Sequence, residues 1–199
     1  MIGPMTPPRP TLIADAAIAL IAERGLRGLT HRAVDEEAGL PAGSTSNLAR
    51  TRAALLEVAL TRIVERETRE HPVLTGEPPA DTPPRELLVR VAADLLFQAL
   101  TTGRRLTLAR LELALEATRR PELRAVYDRL GARFADAATV LLARCGSTDP
   151  AADARRLVRW CDGVLFNATA GSGHWRTPMP EELRDDAARY LDALLTAAE

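Results

Sequence analysis

Apolar residues recur along this chain three or four positions apart, the spacing of one helical face, and nowhere alternate long enough to make a strand. In the first predicted helix, about Pro10 to Arg24, Leu12/Ala16/Leu20 and Ile13/Ala17/Ile21 form a double i, i+4 row, and Gly25 supplies a stop. Thr30 is placed to cap a second helix running to about Ala38, with Leu29 and Val34 spaced as a hydrophobic staple across the cap. Gly39 ends that helix, and Pro41 suits the start of a third, about Ala42 to Ala49. Thr51 can cap a fourth, which carries Leu55, Leu56, Ala59, Leu60, Ile63 and Val64 on one face. The proline-rich stretch HPVLTGEPPADTPP, residues 71–84, is the one clear break. Five more amphipathic helices follow, near Pro83–Thr102, Arg104–Arg119, Pro121–Arg144, Pro150–Ala170 and Pro180–Ala198. The pattern predicts an all-α protein of about nine helices: an N-terminal arm (1–9), a four-helix head (10–70), a linker (71–82) and a helical bundle (83–199).

One segment of the head runs against helix propensity. Between two well-formed helical patterns lies GSTSN, Gly43 to Asn47, small and polar and poor at forming helix. A helix, a turn containing glycine and a second short helix describe a helix-turn-helix, whose second helix lies in the major groove of DNA. Such a helix needs a slim polar face. Asn47 has the chemistry to read adenine with two hydrogen bonds, and Thr45 offers thymine a methyl as well as a hydroxyl. Between Ala38 and Leu56 the only ionisable side chains are Arg50 and Arg52, so the local charge suits a polyanion. The plainer reading of the same residues is a solvated turn.

Composition narrows the field without deciding it. The 199 residues carry 26 basic and 27 acidic side chains, so no global field draws nucleic acid and any basic patch is local. Every cationic side chain except histidine is Arg, a bias that fits GC-rich codon usage better than phosphate recognition. Cys145 and Cys161 lie in apolar helical patterns without a CxxC or histidine partner, and read as buried thiols of a reducing compartment. No export signal or membrane-length apolar run is evident, so a cytoplasmic location is expected. His31, His71 and His174 lack partners at metal-ligand or triad spacing, and GSG at 171–173 is too short for a phosphate loop. No enzyme, cofactor or metal is expected.

Over its first sixty or so residues the chain resembles the DNA-binding domain of TetR-family transcriptional regulators. The resemblance rests on ERGLRGLT at the end of the first helix, RAVDEEAGLPAGSTSN across the second and third, and TRAALLEVAL opening the fourth. It implies that Thr30, His31 and Arg32 contact the DNA backbone at the start of the second helix. It further implies that Gly43, Ser44, Thr45, Ser46 and Asn47 form the recognition face, and that Arg52, where the family usually has Lys, holds phosphate. The chain departs from the pattern where Leu48 and Ala49 replace a Tyr-Phe pair, where Ser46 replaces an aromatic, and where Asp35 replaces a small apolar residue.

For the bundle the resemblance implies a small-molecule pocket and a twofold dimer. Gln98, Arg110, Glu112, Tyr127, Trp160, Asp162, Asn167, His174 and Trp175 are the polar or aromatic groups available to a pocket, although each also has an ordinary core, interface or surface reading. Leu157, Cys161, Val164 and Leu165 form one apolar stripe, and Leu183, Ala187, Tyr190, Leu191 and Leu194 another, expected to meet their twofold copies or to pack within the monomer. The expected function is a homodimeric regulator of a palindromic double-stranded DNA operator, a repressor released by a small-molecule effector. The alternative is an all-α dimeric interaction module with a degenerate DNA-binding head.

Overall fold

The computed structural model describes residues 7–70 and 81–196, and these are all-α. Nine helices follow in order: α1 Arg9–Gly28, α2 His31–Glu37, α3 Ser44–Leu48, α4 Arg52–Glu70, α5 Pro84–Leu100, α6 Arg104–Ala117, α7 Pro121–Arg144, α8 Pro150–Thr169 and α9 Pro180–Thr196. Most of the expected arm, residues 1–6, and of the expected linker, 71–80, lies outside the described residues, as does His71.

The chain forms two compact units, one of Met1–Glu67 with Leu108–Leu130, the other of Thr68–Thr107 with Gly131–Glu199. The proline-rich break therefore lies near the first passage from one unit to the other. By packing, Leu108–Leu130, taken from α6 and α7, group with the first unit and not with the rest of 83–199. A proline run reports where the chain is interrupted. It carries no information on which partners a later helix will choose.

In the first unit, the double row read from α1 is the buried one: Ile13, Ala17, Leu20 and Ile21 are each at most 2% exposed. Gly25 interrupts α1 where the stop was expected. It adopts φ 63° and ψ −177°, a conformation glycine reaches without strain, and helix resumes to Gly28 after a kink. Leu29 and Val34 are both fully buried, beside a cap in which the Thr30 hydroxyl oxygen accepts the Ala33 amide at 3.1 Å. The inner face of α4 supplies Leu55, Leu56, Ala59, Leu60 and Ile63. Arg62 of α4 donates two hydrogen bonds to the Asp15 carboxylate of α1, at 2.9 and 3.1 Å.

In the second unit α5 packs against α8 and α9. One core cluster gathers Leu87, Leu88, Leu141, Leu142, Ala154, Leu157, Leu191 and Leu194, and another gathers Ala93, Leu96, Leu100, Leu165, Ala168 and Leu183. Within one chain the two apolar stripes pack largely inward, the second of the two arrangements the sequence left open. Leu157, Leu165, Leu183, Ala187, Leu191 and Leu194 are buried inside the unit, while Cys161, Val164 and Tyr190 are half-buried against the same clusters. Helical periodicity shows that a face is covered; it does not name the neighbour, and here α5 and α7 are among the neighbours. At the end of α8 the chain turns back over Asn167. A Cβ on Gly171 would stand 2.8 Å from the Asn167 Cα, so a side chain has no room there.

Candidate nucleic-acid interface

The helix-turn-helix is built from two short helices, seven residues in α2 and five in α3. The third helix is shorter than its sequence pattern, because Pro41 and Ala42 stay in the turn. Pro41 instead offers its carbonyl to the Ser44 amide at 3.1 Å and the Ser44 hydroxyl at 2.7 Å. Gly43, at φ 91°, is the N-cap and contributes no side chain to the cap.

The missing cap arrives from α2. Asp35, only 4% exposed, accepts the Gly43 amide on one carboxylate oxygen at 2.7 Å. Its other oxygen accepts the Thr45 amide at 2.7 Å and the Thr45 hydroxyl at 2.6 Å. Burial opposes a charge at this position, yet the Thr45 hydroxyl, the Thr45 and Gly43 amides and nearby His31 hold the carboxyl below its ordinary value. Thr45 is fully buried in consequence. It belongs to the inner side of the recognition helix and not to its reading face, a correction to the sequence expectation. Asp35 thus forms a polar bracket between α2 and α3.

His31 and Arg52 are also occupied inside the head. The His31 Nε2 donates to the Ala49 carbonyl at 2.6 Å, tying the start of α2 to the end of α3. Arg52 donates from Nη1 to the Leu29 carbonyl at 2.7 Å and from Nη2 to the Leu26 carbonyl at 2.5 Å. Both residues were expected to face DNA; in this structure both hold the ends of neighbouring helices. Arg52 satisfies carbonyls at a helix C-terminus, where backbone acceptors lack intrahelical donors and a cation is favoured.

Of the expected set, Ser46, Asn47, Gly43, Thr30 and Arg32 are exposed and Ser44 is partly exposed. Arg32 pairs with Glu36 one turn on, at 2.8 Å, and both side chains are mostly in solvent. Three residues noted in the sequence lay outside the expected interface set. Asp35 was legible in principle, since a carboxylate at an apolar position of a short helix demands donors. Leu48 is 42% exposed and Arg50 is exposed, so they extend the outer face of α3 with an apolar and a cationic group. Thr51 caps α4 through the Ala54 amide at 3.1 Å, as its position suggested.

The candidate pocket residues divide between the units. Arg110 and Tyr127 belong to the first and Gln98, Trp160, Asn167, His174 and Trp175 to the second. Arg110 lies 3.8 Å from Glu67, and Arg124 sits over the Tyr127 ring at 4.6 Å. Trp160 stacks on Tyr190 with ring centroids 5.1 Å apart and packs against both core clusters, a role in the core. The Tyr190 hydroxyl donates to the Arg156 carbonyl. Asn167 and His174 are exposed, and Trp175 is 76% exposed. Among the described residues no group of three or more His, Cys, Asp or Glu could hold a metal ion, and no helix is long and apolar enough to cross a membrane.

A family model described as tetracyclin repressor-like, C-terminal domain, matches residues 83–197. The chain belongs to the TetR family. Its likeness to solved TetR-family structures extends over both units. One member, from Streptomyces coelicolor A3, is 33% identical over 92% of this chain and 98% of its own, with a TM-score of 0.71. The multidrug binding protein EbrR, complexed with ethidium, is 33% identical over 92% of this chain and 98% of its own, with a TM-score of 0.66. A transcriptional regulator from Rhodococcus sp. Rha1 shares the fold at a TM-score of 0.77 with 20% identity, over 95% of this chain and 97% of its own. No curated protein sequence matches the chain.

Proposed function

We propose that this TetR-family chain acts as a homodimeric repressor that reads a palindromic operator and is released by a small-molecule effector. The observation that carries the reading is the outer face of α3. Ser46 and Asn47 stand exposed beside Leu48 and Arg50, while the inner residues Thr45 and Ala49 are buried. Small hydrogen-bonding groups on an exposed short helix after a tight turn suit base edges, and the neighbouring guanidinium suits phosphate. Ser46 and Asn47 are assigned to bases, Leu48 to an apolar contact such as a thymine methyl, and Arg50 to phosphate. Thr30 and Arg32 remain assigned to the DNA backbone, and Gly43 and Ser44, expected on the recognition face, are assigned to the rim beside it. Arg52, His31 and Thr45 are assigned to holding the head together.

Two heads are needed because one short helix buries too little for a specific site. The half-buried stripe residues Cys161, Val164 and Tyr190, with the outward residues Arg159, Gly163 and Phe166 of α8, are assigned to a twofold partner. The effector class is suggested by EbrR, a multidrug binding protein solved with ethidium, proflavin and malachite green. These are aromatic cations, and an effector of that chemistry that prefers the DNA-free state lowers DNA affinity by the same factor. The test is fluorescence anisotropy against DNA from directly upstream of the gene, with a shuffled control, at two salt concentrations, followed by titration with ethidium. Sequence-dependent, salt-sensitive binding supports the regulator. Absence of any preference, there and in unbiased operator selection, supports the interaction module.

A further inference from the structure

We infer that Asp35, which touches no base or phosphate, is the positioning residue of the DNA-reading helix, acting as a cap supplied from the neighbouring helix. The inference rests on the reading of the first unit as a DNA-binding head. α3 is five residues of Ser, Thr, Ser, Asn and Leu, far below the roughly 12 residues at which even good helix formers become stable alone. Its own N-cap is a glycine without a capping side chain. Its helical state and its direction must therefore be imposed from outside. Asp35 imposes both: it accepts the amides of Gly43 and Thr45, the N-cap and second helical residue, and it also accepts the Thr45 hydroxyl. Ser46 and Asn47 follow Thr45 directly, so a bond that fixes Thr45 fixes where their side chains point.

The chemistry of the bracket requires a carboxylate. All three partners are donors, and Asp is an acceptor on both oxygens. Asn, nearly the same shape, would turn an NH2 toward one of the amides and leave two donors face to face.

The full-length dimer carries the test, with Asp35→Asn, Thr45→Val and Thr45→Ser as variants. One arm measures amide hydrogen exchange across residues 43–48. The other measures affinity for the selected operator and for shuffled DNA across a salt series. Asp35→Asn is expected to speed exchange over 43–48 by roughly 10- to 100-fold and to weaken operator binding by a similar factor. Affinity for shuffled DNA and the salt slope stay at wild-type values. Thr45→Val, which keeps the carboxylate and two of its three bonds, gives a smaller loss of the same kind, and Thr45→Ser restores it. Equal loss on operator and shuffled DNA would overturn the positioning role, because it marks general weakening of the head. Wild-type exchange and selectivity in Asp35→Asn would overturn it as well. A wild-type protein with no operator preference would overturn the DNA-binding reading itself and, with it, this role. The exchange arm would then still show separately whether Asp35 holds α3.

Discussion

Replacing Arg52 with alanine separates two accounts of the start of α4. In the structure the guanidinium holds the Leu26 and Leu29 carbonyls at the end of α1, and Leu29 itself is fully buried. A hydrogen bond from a charged donor contributes about 1.5–3 kcal/mol where it is buried. Arg52 is half-buried, so solvent screening and water access to the freed carbonyls reduce the pair to about 2–4 kcal/mol in all. Urea unfolding of the full chain is expected to show that loss as a midpoint lower by about 1–2 M at an ordinary slope for a small unit. Arg52→Lys, a single point cation without the planar fork, recovers about half. DNA affinity falls only as the folded fraction falls, and the dependence of affinity on salt keeps its slope. The opposite result would refute the reasoning: unchanged stability, with affinity reduced on every DNA sequence and the salt slope smaller by about one. It would place the guanidinium on phosphate, where the family resemblance put it.

Four further outcomes follow from the same geometry. Arg50→Ala is expected to weaken binding to operator and shuffled DNA alike and to reduce the salt slope by about one, checked by anisotropy over a salt series. Asn47→Ala is expected to cost about 1–3 kcal/mol on the operator and to relax base preference at one position while leaving the slope alone; a uniform loss across sequences would remove Asn47 from base reading. Because the Asp35 carboxyl titrates below its ordinary value when folded, its contribution is present above the unfolded value, about pH 4, and is lost as pH falls through the folded value. Denaturation of wild type and Asp35→Ala at a series of pH values should therefore show a gap that is constant near neutrality and closes below about pH 4. At the α8–α9 loop, Gly171→Ala meets backbone, at 2.8 Å from the Asn167 Cα, and is expected to destabilise by about 1–3 kcal/mol. Gly173→Ala meets only the end of the exposed Asn167 side chain, which can swing aside, so thermal unfolding should rank it milder.

The helices themselves were written in the sequence. Period, capping residues and first-turn prolines are local, and local rules placed α7 over Pro121–Arg144 and the caps Thr30 and Thr51 where the structure has them. So did the buried double row of α1, because a row of apolar residues on one helical face has few alternatives to burial. What the sequence could not decide was direction and partner. Thr45 and Asn47 are equally suited to a base edge by type; only the tertiary position of Asp35 turns Thr45 inward and leaves Asn47 outside. Arg52 has the charge for phosphate, but the end of α1, more than twenty residues away in sequence, presents its carbonyls first. The stripes on α8 and α9 promised a covered face, and within the chain α5 and α7 cover much of it. Hydrogen bonds and burial act between whatever groups the folded chain brings within a few ångströms, and separation along the sequence sets no limit on which groups those are.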